Sequence, residues 1–232
     1  MPTLSIVIPA YNEARTIRTV LQAVEAAPVP GLEKQIIIVD DGSKDGTREI
    51  LKEFEGRHTV IFQEKNMGKG AAVRRGFQAA TGDFIIIQDA DLECNPREYP
   101  ILLEPLIAGD ADVVYGSRFI GGRPHRVLSF WHSLGNRILT GVSNMFSDLN
   151  LTDMETCYKV FTRNALLAIR DTLTSDRFGI EPEITARIAK KRLRVFEVGI
   201  TYNSRSYQEG KKINWKDGVS AIWCIIKFNT FK

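Results

Sequence analysis

Phe84-Ile85-Ile86-Ile87-Gln88-Asp89-Ala90-Asp91 places an unbroken apolar run directly ahead of two carboxylates. A run with no alternating polar residue suits a strand buried on both faces, as in a parallel sheet covered by helices. The two acids then stand at the mouth of a rigid sheet. Neighbouring carboxylates oppose each other's ionisation. A hard divalent ion with oxygen ligands, carrying nucleotide phosphates, relieves that repulsion. The same pair also suits a solvated strand-to-loop turn, where Asp is common.

Working outward from this run, strands alternate with helices. Residues 4–8 read as a first strand stopped by Pro9, and Asn12 as the cap of a helix reaching Ala26, with Ile17, Val20, Leu21 and Val24 on one face. Residues 35–39 form a second buried strand, Asp40-Asp41-Gly42-Ser43 a turn, and residues 47–54 a helix. A strand at 59–62 and a helix at 69–80 precede the 84–88 strand, and 111–115 gives a fifth strand. A helix follows at about 129–146. From Asp153 the pattern turns α+β: a short strand at 158–161, a helix after Pro182, and a strand at 194–201. Alternation of this kind predicts a mostly parallel sheet with helices on both faces and a crevice at the carboxyl ends of the strands. Tyr11-Asn12-Glu13, Asp40-Asp41, Asp89 and Asp91 all follow strands, so they are expected to converge there.

Bulk properties exclude several classes. The 232 residues suffice for one large α/β domain, and 44% apolar with 25% charged residues excludes disorder. A net charge of +3 gives no global field for nucleic acid, although basic residues thicken over 187–194 and 205–216. Cys94, Cys157 and Cys224 lie far apart without metal-type spacing, which fits a reducing cytosol. Met1-Pro2-Thr3 runs straight into a strand, leaving no room for a signal peptide, and no apolar stretch is long enough to cross a bilayer. The histidines His58, His125 and His132 show no ligand spacing.

Asn66-Met67-Gly68-Lys69-Gly70 opens a helix and could cradle phosphate through backbone N–H groups and the Lys69 ammonium. It lacks GxxxxGK[ST] spacing, and no GxGxxG follows the first strand, so neither a P-loop nucleotidase nor a dinucleotide-dependent dehydrogenase is supported. Taken alone, such a loop is more often a plain helix start. Its company is more informative. Ile8-Pro9-Ala10-Tyr11-Asn12-Glu13, Val39-Asp40-Asp41-Gly42-Ser43-Lys44-Asp45-Gly46-Thr47, the 66–70 loop and Gln88-Asp89-Ala90-Asp91 occur in that order. Together they resemble the nucleotide-sugar domain of family-2 glycosyltransferases of the GT-A fold, closest to the polyprenyl-phosphate sugar synthases typified by dolichyl-phosphate mannose synthase. The resemblance covers nearly the whole chain and is strongest over 4–120. It implies a single domain over 1–232, with a nucleotide-sugar half (about 1–120) and an α+β acceptor half (about 121–232).

Residue by residue, the resemblance implies that Pro9, Tyr11 and Glu13 line a nucleoside pocket, that Asp40 contacts the base or ribose, and that Lys69 lies near the nucleotide. It implies that Asp89, Asp91 and Glu93 bind Mg²⁺ or Mn²⁺; Gln is frequent at the third position in the mannose synthases. Arg118, Arg126 and Ser133 match the acceptor-phosphate region, where a guanidinium suits bidentate phosphate capture. Asp153-Met154-Glu155-Thr156-Cys157-Tyr158 stands where relatives often show an Asp-Pro-Thr-Ser-Gly-Phe type segment. The loop 204–212 resembles a late basic loop that closes over phosphates, with Arg205 and Lys211 as its cations. Asp89, Asp91, Arg118 and Arg205 are therefore the expected catalytic set.

The expected activity is inverting transfer of a hexose, mannose or glucose, from a GDP- or UDP-sugar to a polyprenyl phosphate such as dolichyl or undecaprenyl phosphate. A lipid phosphate is already anionic and needs no base. A polysaccharide or other glycan acceptor would need one, with Asp153, Glu181 and Glu183 as candidates. A noncatalytic nucleotide-sugar scaffold would not require Asp89 and Asp91. Residues 215–228 put Val219, Ile222, Trp223 and Ile226 at helical spacing, the stripe of either an interfacial helix or a core-packing one. The expected location is cytoplasmic, peripheral on the cytosolic membrane face.

Overall fold

The computed structural model describes residues 1–121, 126–127, 129–204 and 215–231, without the side chains of 215–217 and 219. His125, Arg205 and Lys211, and with them the basic loop, lie outside the described residues.

The strands are β1 (Thr3–Ala10), β2 (Glu33–Asp40), β3 (Thr59–Phe62), β4 (Phe84–Ile87), β5 (Val113–Ser117), β6 (Lys159–Thr162) and β7 (Val195–Gly199). They form one sheet in the order β3-β2-β1-β4-β6-β5-β7. All run the same way except β6, which is antiparallel to both β4 and β5. Apolar residues fill both faces, as the Phe84 run requires. Leu4, Ile6, Ile8, Ile36, Ile38 and Ile86 pack under helices α1 (Ile17–Ala26) and α4 (Tyr99–Ile107). Val7, Ile37, Val39, Ile85 and Ile87 pack under α3 (Lys69–Ala79), α6 (Arg163–Ile169) and α7 (Ile180–Lys190). The remaining helices are α2 (Thr47–Lys52), α5 (Phe130–Ser147) and α8 (Trp215–Ile226).

Three local expectations are corrected. Pro9 does not stop β1, which pairs with β2 through Ala10. Val7 turns its carbonyl toward the β4 side and Ala10 toward the β2 side, so by alternation the missing N–H of Pro9 faces the β4 side beyond the last paired residue, where no ladder bond is lost. Asn12 does not cap α1, which begins only at Ile17. It takes a left-handed φ of 51°, accepts from Lys44 N through its side chain (2.9 Å), and donates its backbone N–H to Ser43 Oγ (2.9 Å). α7 begins at Ile180, ahead of Pro182, because proline in a first helical turn removes no intrahelical bond.

α5 turns a mixed face inward: Leu139 and Val142 pack on the core beside the buried polar residues Asn136, Thr140 and Ser143, while Phe130, Trp131, Ile138 and Met145 are 69%, 78%, 52% and 73% exposed. α8 packs against it. The expected α8 stripe is not the buried side of the helix: Ile222 and Trp223 are exposed and Ile226 is half-buried, whereas Ala221 and Ile225 are buried.

Candidate active site

The cleft, about 430 Å³, opens at the carboxyl ends of β1, β2 and β4. Two loops of its wall are laced together. Glu13 N donates to Thr47 Oγ1 (2.9 Å) and Ala14 N to Asp45 Oδ2 (3.1 Å), joining the segment after β1 to the segment after β2. Pro9, Tyr11 and Glu13 all line the cleft. Asp40 does not reach it. It is fully buried, accepts from Gly42 N and Ser43 N, and lies 3.4 Å from the Arg48 guanidinium, so it braces its own turn. The next residue, Asp41, lines the cleft instead.

Asp41 also settles the fate of the 66–70 loop. Its two oxygens accept from Met67 N (2.7 Å), Gly68 N (2.8 Å) and Asn66 Nδ2 (3.0 Å). The expected phosphate cradle of backbone N–H groups is thus spent on a carboxylate. Burial raises the Asp41 pKa, opposed by these backbone bonds. Gly68 holds φ +106°, and a Cβ there would sit 2.4 Å from the Asp176 carbonyl oxygen. Gly68→Ala is expected to cost about 1–3 kcal/mol of stability, read from the urea midpoint.

The acid pair is fixed from behind by Gln88. Its Oε1 accepts from Tyr99 OH (2.8 Å) and Tyr158 OH (2.7 Å), and its Nε2 donates to the Asp89 carbonyl (3.1 Å). Lys69 Nζ lies 2.9 Å from Asp89 Oδ1 and 3.0 Å from Glu181 Oε1, and Lys159 Nζ lies 2.5 Å from Glu181 Oε2. The result is an alternating chain, Asp89, Lys69, Glu181, Lys159, along the floor. Burial opposes the Lys69 charge, yet Asp89 and Glu181 hold its pKa well above the ordinary lysine value. Burial likewise opposes ionisation of Glu181, and the two ammonium groups bring its pKa below normal.

Asp91 Oδ1 accepts from Glu93 N (3.0 Å), and Glu93 Oε2 accepts from Tyr202 OH (2.6 Å). Among the described residues no three His, Cys, Asp or Glu side chains form a ready-made metal cage. Hard oxygen donors at Asp89 and Asp91 nevertheless fit an ion of the Mg²⁺ type. Such an ion is usually held by one or two carboxylates plus substrate phosphates.

Arg118 lines the cleft but is already engaged. Its Nε and Nη2 each lie 2.7 Å from Asp153, which is fully buried, and its guanidinium lies 5.1 Å from the Tyr202 ring centroid. Burial opposes its charge, and Asp153 holds its pKa well above normal. Arg126 bonds to the Ser204 carbonyl (2.7 Å), and Ser133 sits on α5; neither reaches the cleft wall. His132 does.

The three acids foreseen as a base are all tied elsewhere. Asp153 holds Arg118, Glu181 holds two lysines, and Glu183 accepts from Thr174 N (3.0 Å) and Ser175 N (2.7 Å). Glu155 was not singled out from sequence, although it sits in the 153–158 segment. It lines the cleft, and its Oε1 is buried with no hydrogen-bond partner among the described residues. Burial, aided by Glu181, pushes its pKa up to about 7, against Lys159 and Arg118. The folded carboxyl therefore keeps its proton to about pH 7, whereas an ordinary glutamate loses it near 4.5. Between those values the folded state binds more protons, so stability falls as pH rises. Glu155→Gln is expected to match wild-type stability below pH 4.5 and to exceed it above pH 7 by at most about 3 kcal/mol, measured as melting temperature against pH.

A mostly parallel seven-stranded sheet flanked by helices, with an acid pair after β4, defines the GT-A class of fold. The chain superposes on glucosyl-3-phosphoglycerate synthase from Mycobacterium tuberculosis, crystallised with Mn²⁺, uridine diphosphate and phosphoglyceric acid. The TM-score is 0.75 over 100% of this chain and 80% of that one, at 19% identity. Residues 5–169 match the sequence family described as Glycosyl transferase family 2, and the chain belongs to that family. Glycosyltransferase AglJ of Haloferax volcanii is 34% identical over 209 residues, covering 88% of this chain and 65% of that protein. Dolichol-phosphate mannosyltransferase of Pyrococcus furiosus is 36% identical over 121 residues, 51% of this chain and 34% of that protein. The chain thus spans about one to two thirds of the length of these relatives.

Proposed function

We propose that the cleft binds a nucleotide sugar and that the chain, as one domain, transfers its hexose, mannose or glucose from GDP or UDP, with inversion to a polyprenyl phosphate. The exposed apolar side of α5 carries the acceptor part of this reading. A helix that leaves Phe130, Trp131, Ile138 and Met145 on its surface is suited to an apolar neighbour. The same helix brings His132 to the cleft, so an apolar chain lying along α5 has its head group at the site. Among the described residues no helix is long and apolar enough to cross a membrane, which makes peripheral contact through α5 and α8 the proposed mode.

Asp89 and Asp91 would hold Mg²⁺ or Mn²⁺. Bound there with the diphosphate, the ion would offset charge on the departing nucleotide. Lys69 keeps Asp89 oriented, and Gln88 keeps the strand end from shifting. The relatedness to a dolichol-phosphate mannosyltransferase supports the acceptor class, and the likeness to a structure holding uridine diphosphate and Mn²⁺ supports the donor class.

The test incubates the protein with Mg²⁺ or Mn²⁺, radiolabelled GDP-mannose or UDP-glucose, and undecaprenyl or dolichyl phosphate in phosphatidylglycerol vesicles. Label is expected in the organic phase. Transfer confined to water-soluble glycans would shift the assignment to the glycan acceptor.

A further inference from the structure

Seven carboxyl groups line the cleft, and six of them have a partner within the protein. Asp41 holds the 66–70 loop, Asp89 and Glu181 share Lys69, and Glu93 meets Tyr202. Asp91 accepts from Glu93 N and Glu13 from Thr16 Oγ1. Glu155 is the exception: its Oε1 is shut off from solvent with no donor among the described residues. A buried acceptor left unpaired is costly and calls for a reason. The reason offered by its position is a donor supplied by the ligand.

The order of strands suggests which part of the ligand that is. Along the sheet the rim passes from β2 and β1, whose loops carry Tyr11, Glu13 and Asp41, to β4 with its acid pair, and then to β6. The 153–158 segment leads into β6 and presents Glu155 one step past the acids. A nucleoside over β1 and β2 with its diphosphate at Asp89 and Asp91 puts the sugar next to Glu155. The charged groups acting on Glu155 are Glu181, Lys159, Arg118 and Asp153, two of each sign, with each cation bound to one of the anions. Glu181 also holds Lys69, which it shares with Asp89. These cations are all committed to carboxylates, which disfavours a phosphate and suits hydroxyl groups.

We propose that Glu155 recognises the transferred sugar: its carboxyl group, which lines the cleft, turns its unpaired oxygen to accept a hydrogen bond from a hydroxyl of the donor hexose. This rests on reading the cleft as a nucleotide-sugar site. It makes Glu155 a specificity residue for the sugar and not for the nucleotide.

The test is calorimetric titration of the full chain, in Mn²⁺, with UDP, UDP-glucose, UDP-galactose, GDP and GDP-mannose, on wild type, Glu155→Ala and Glu155→Gln. For the nucleotide that binds, Glu155→Ala is expected to weaken the nucleotide sugar about ten-fold or more while leaving the bare nucleoside diphosphate unchanged. Glu155→Gln, which keeps one acceptor oxygen and the volume, should recover most of the difference. Circular dichroism of both variants separates binding loss from unfolding. Equal weakening of sugar-bearing and bare nucleotides, or no weakening of either, overturns the assignment. Unchanged sugar binding with lost transfer overturns it as well, placing Glu155 in proton transfer at the acceptor. If no nucleotide binds the wild-type protein, the nucleotide-sugar reading itself falls, a result distinct from any of these.

Discussion

Asp91→Asn is expected to lower the transfer rate about 10²–10³-fold, the loss typical when one preorganised group facing developing charge is removed. The amide keeps the shape of the side chain and an oxygen that can still accept from Glu93 N, so the turn after β4 survives. What is lost is one negative charge at the position proposed to hold a divalent ion. The expected signature is therefore specific. The rate should fall and the Mn²⁺ concentration for half-maximal activity should rise, while the melting temperature stays close to wild type. Asp91→Asn at full rate in ordinary Mg²⁺ would take Asp91 out of the chemistry. Asp89→Asn is a less clean probe, because it also releases Lys69.

Arg118→Ala is expected to destabilise the fold by about 3–5 kcal/mol, since it leaves Asp153 as an uncompensated buried charge. For a chain of this length that corresponds to a fall of roughly 6–20 °C in melting temperature. The loss would carry activity down with it, and a simple alanine scan would then credit Arg118 with phosphate binding. A double variant separates the roles. Arg118→Met with Asp153→Leu removes both charges and should recover most of the stability, as apolar replacement of buried pairs often does. Transfer that returns with stability would make Arg118 a brace for the 153–158 segment. Transfer that stays lost would support a direct part in the acceptor site.

The frame of the site was legible because its signals are local. The apolar run ahead of Asp89 declared a strand covered on both faces, and the polar groups after β1, β2 and β4 do meet in one cleft. Motif position alone failed where two adjacent residues had to divide labour. Asp40 and Asp41 look alike in sequence, but alternation at the end of β2 turns one into its own loop and the other into the cleft. Asp153 and Glu181 read as free acids because their partners, Arg118, Lys69 and Lys159, are remote in sequence. Glu155 was overlooked for the converse reason. Its distinguishing property is a missing partner, which only the packed structure reveals.

The reversed direction of β6 has a consequence for how such a site diversifies. Every other strand hands its residues to the rim as it leaves the sheet, whereas β6 does so as it enters. The stretch ahead of it and the loops behind β1, β2 and β4 therefore meet at one edge while belonging to separate excursions of the chain. The loops after β1 and β2 are tied to each other by Glu13 and Ala14, bonds in which the stretch ahead of β6 takes no part, so recomposing that stretch can alter one end of the cleft while the ties at the other persist.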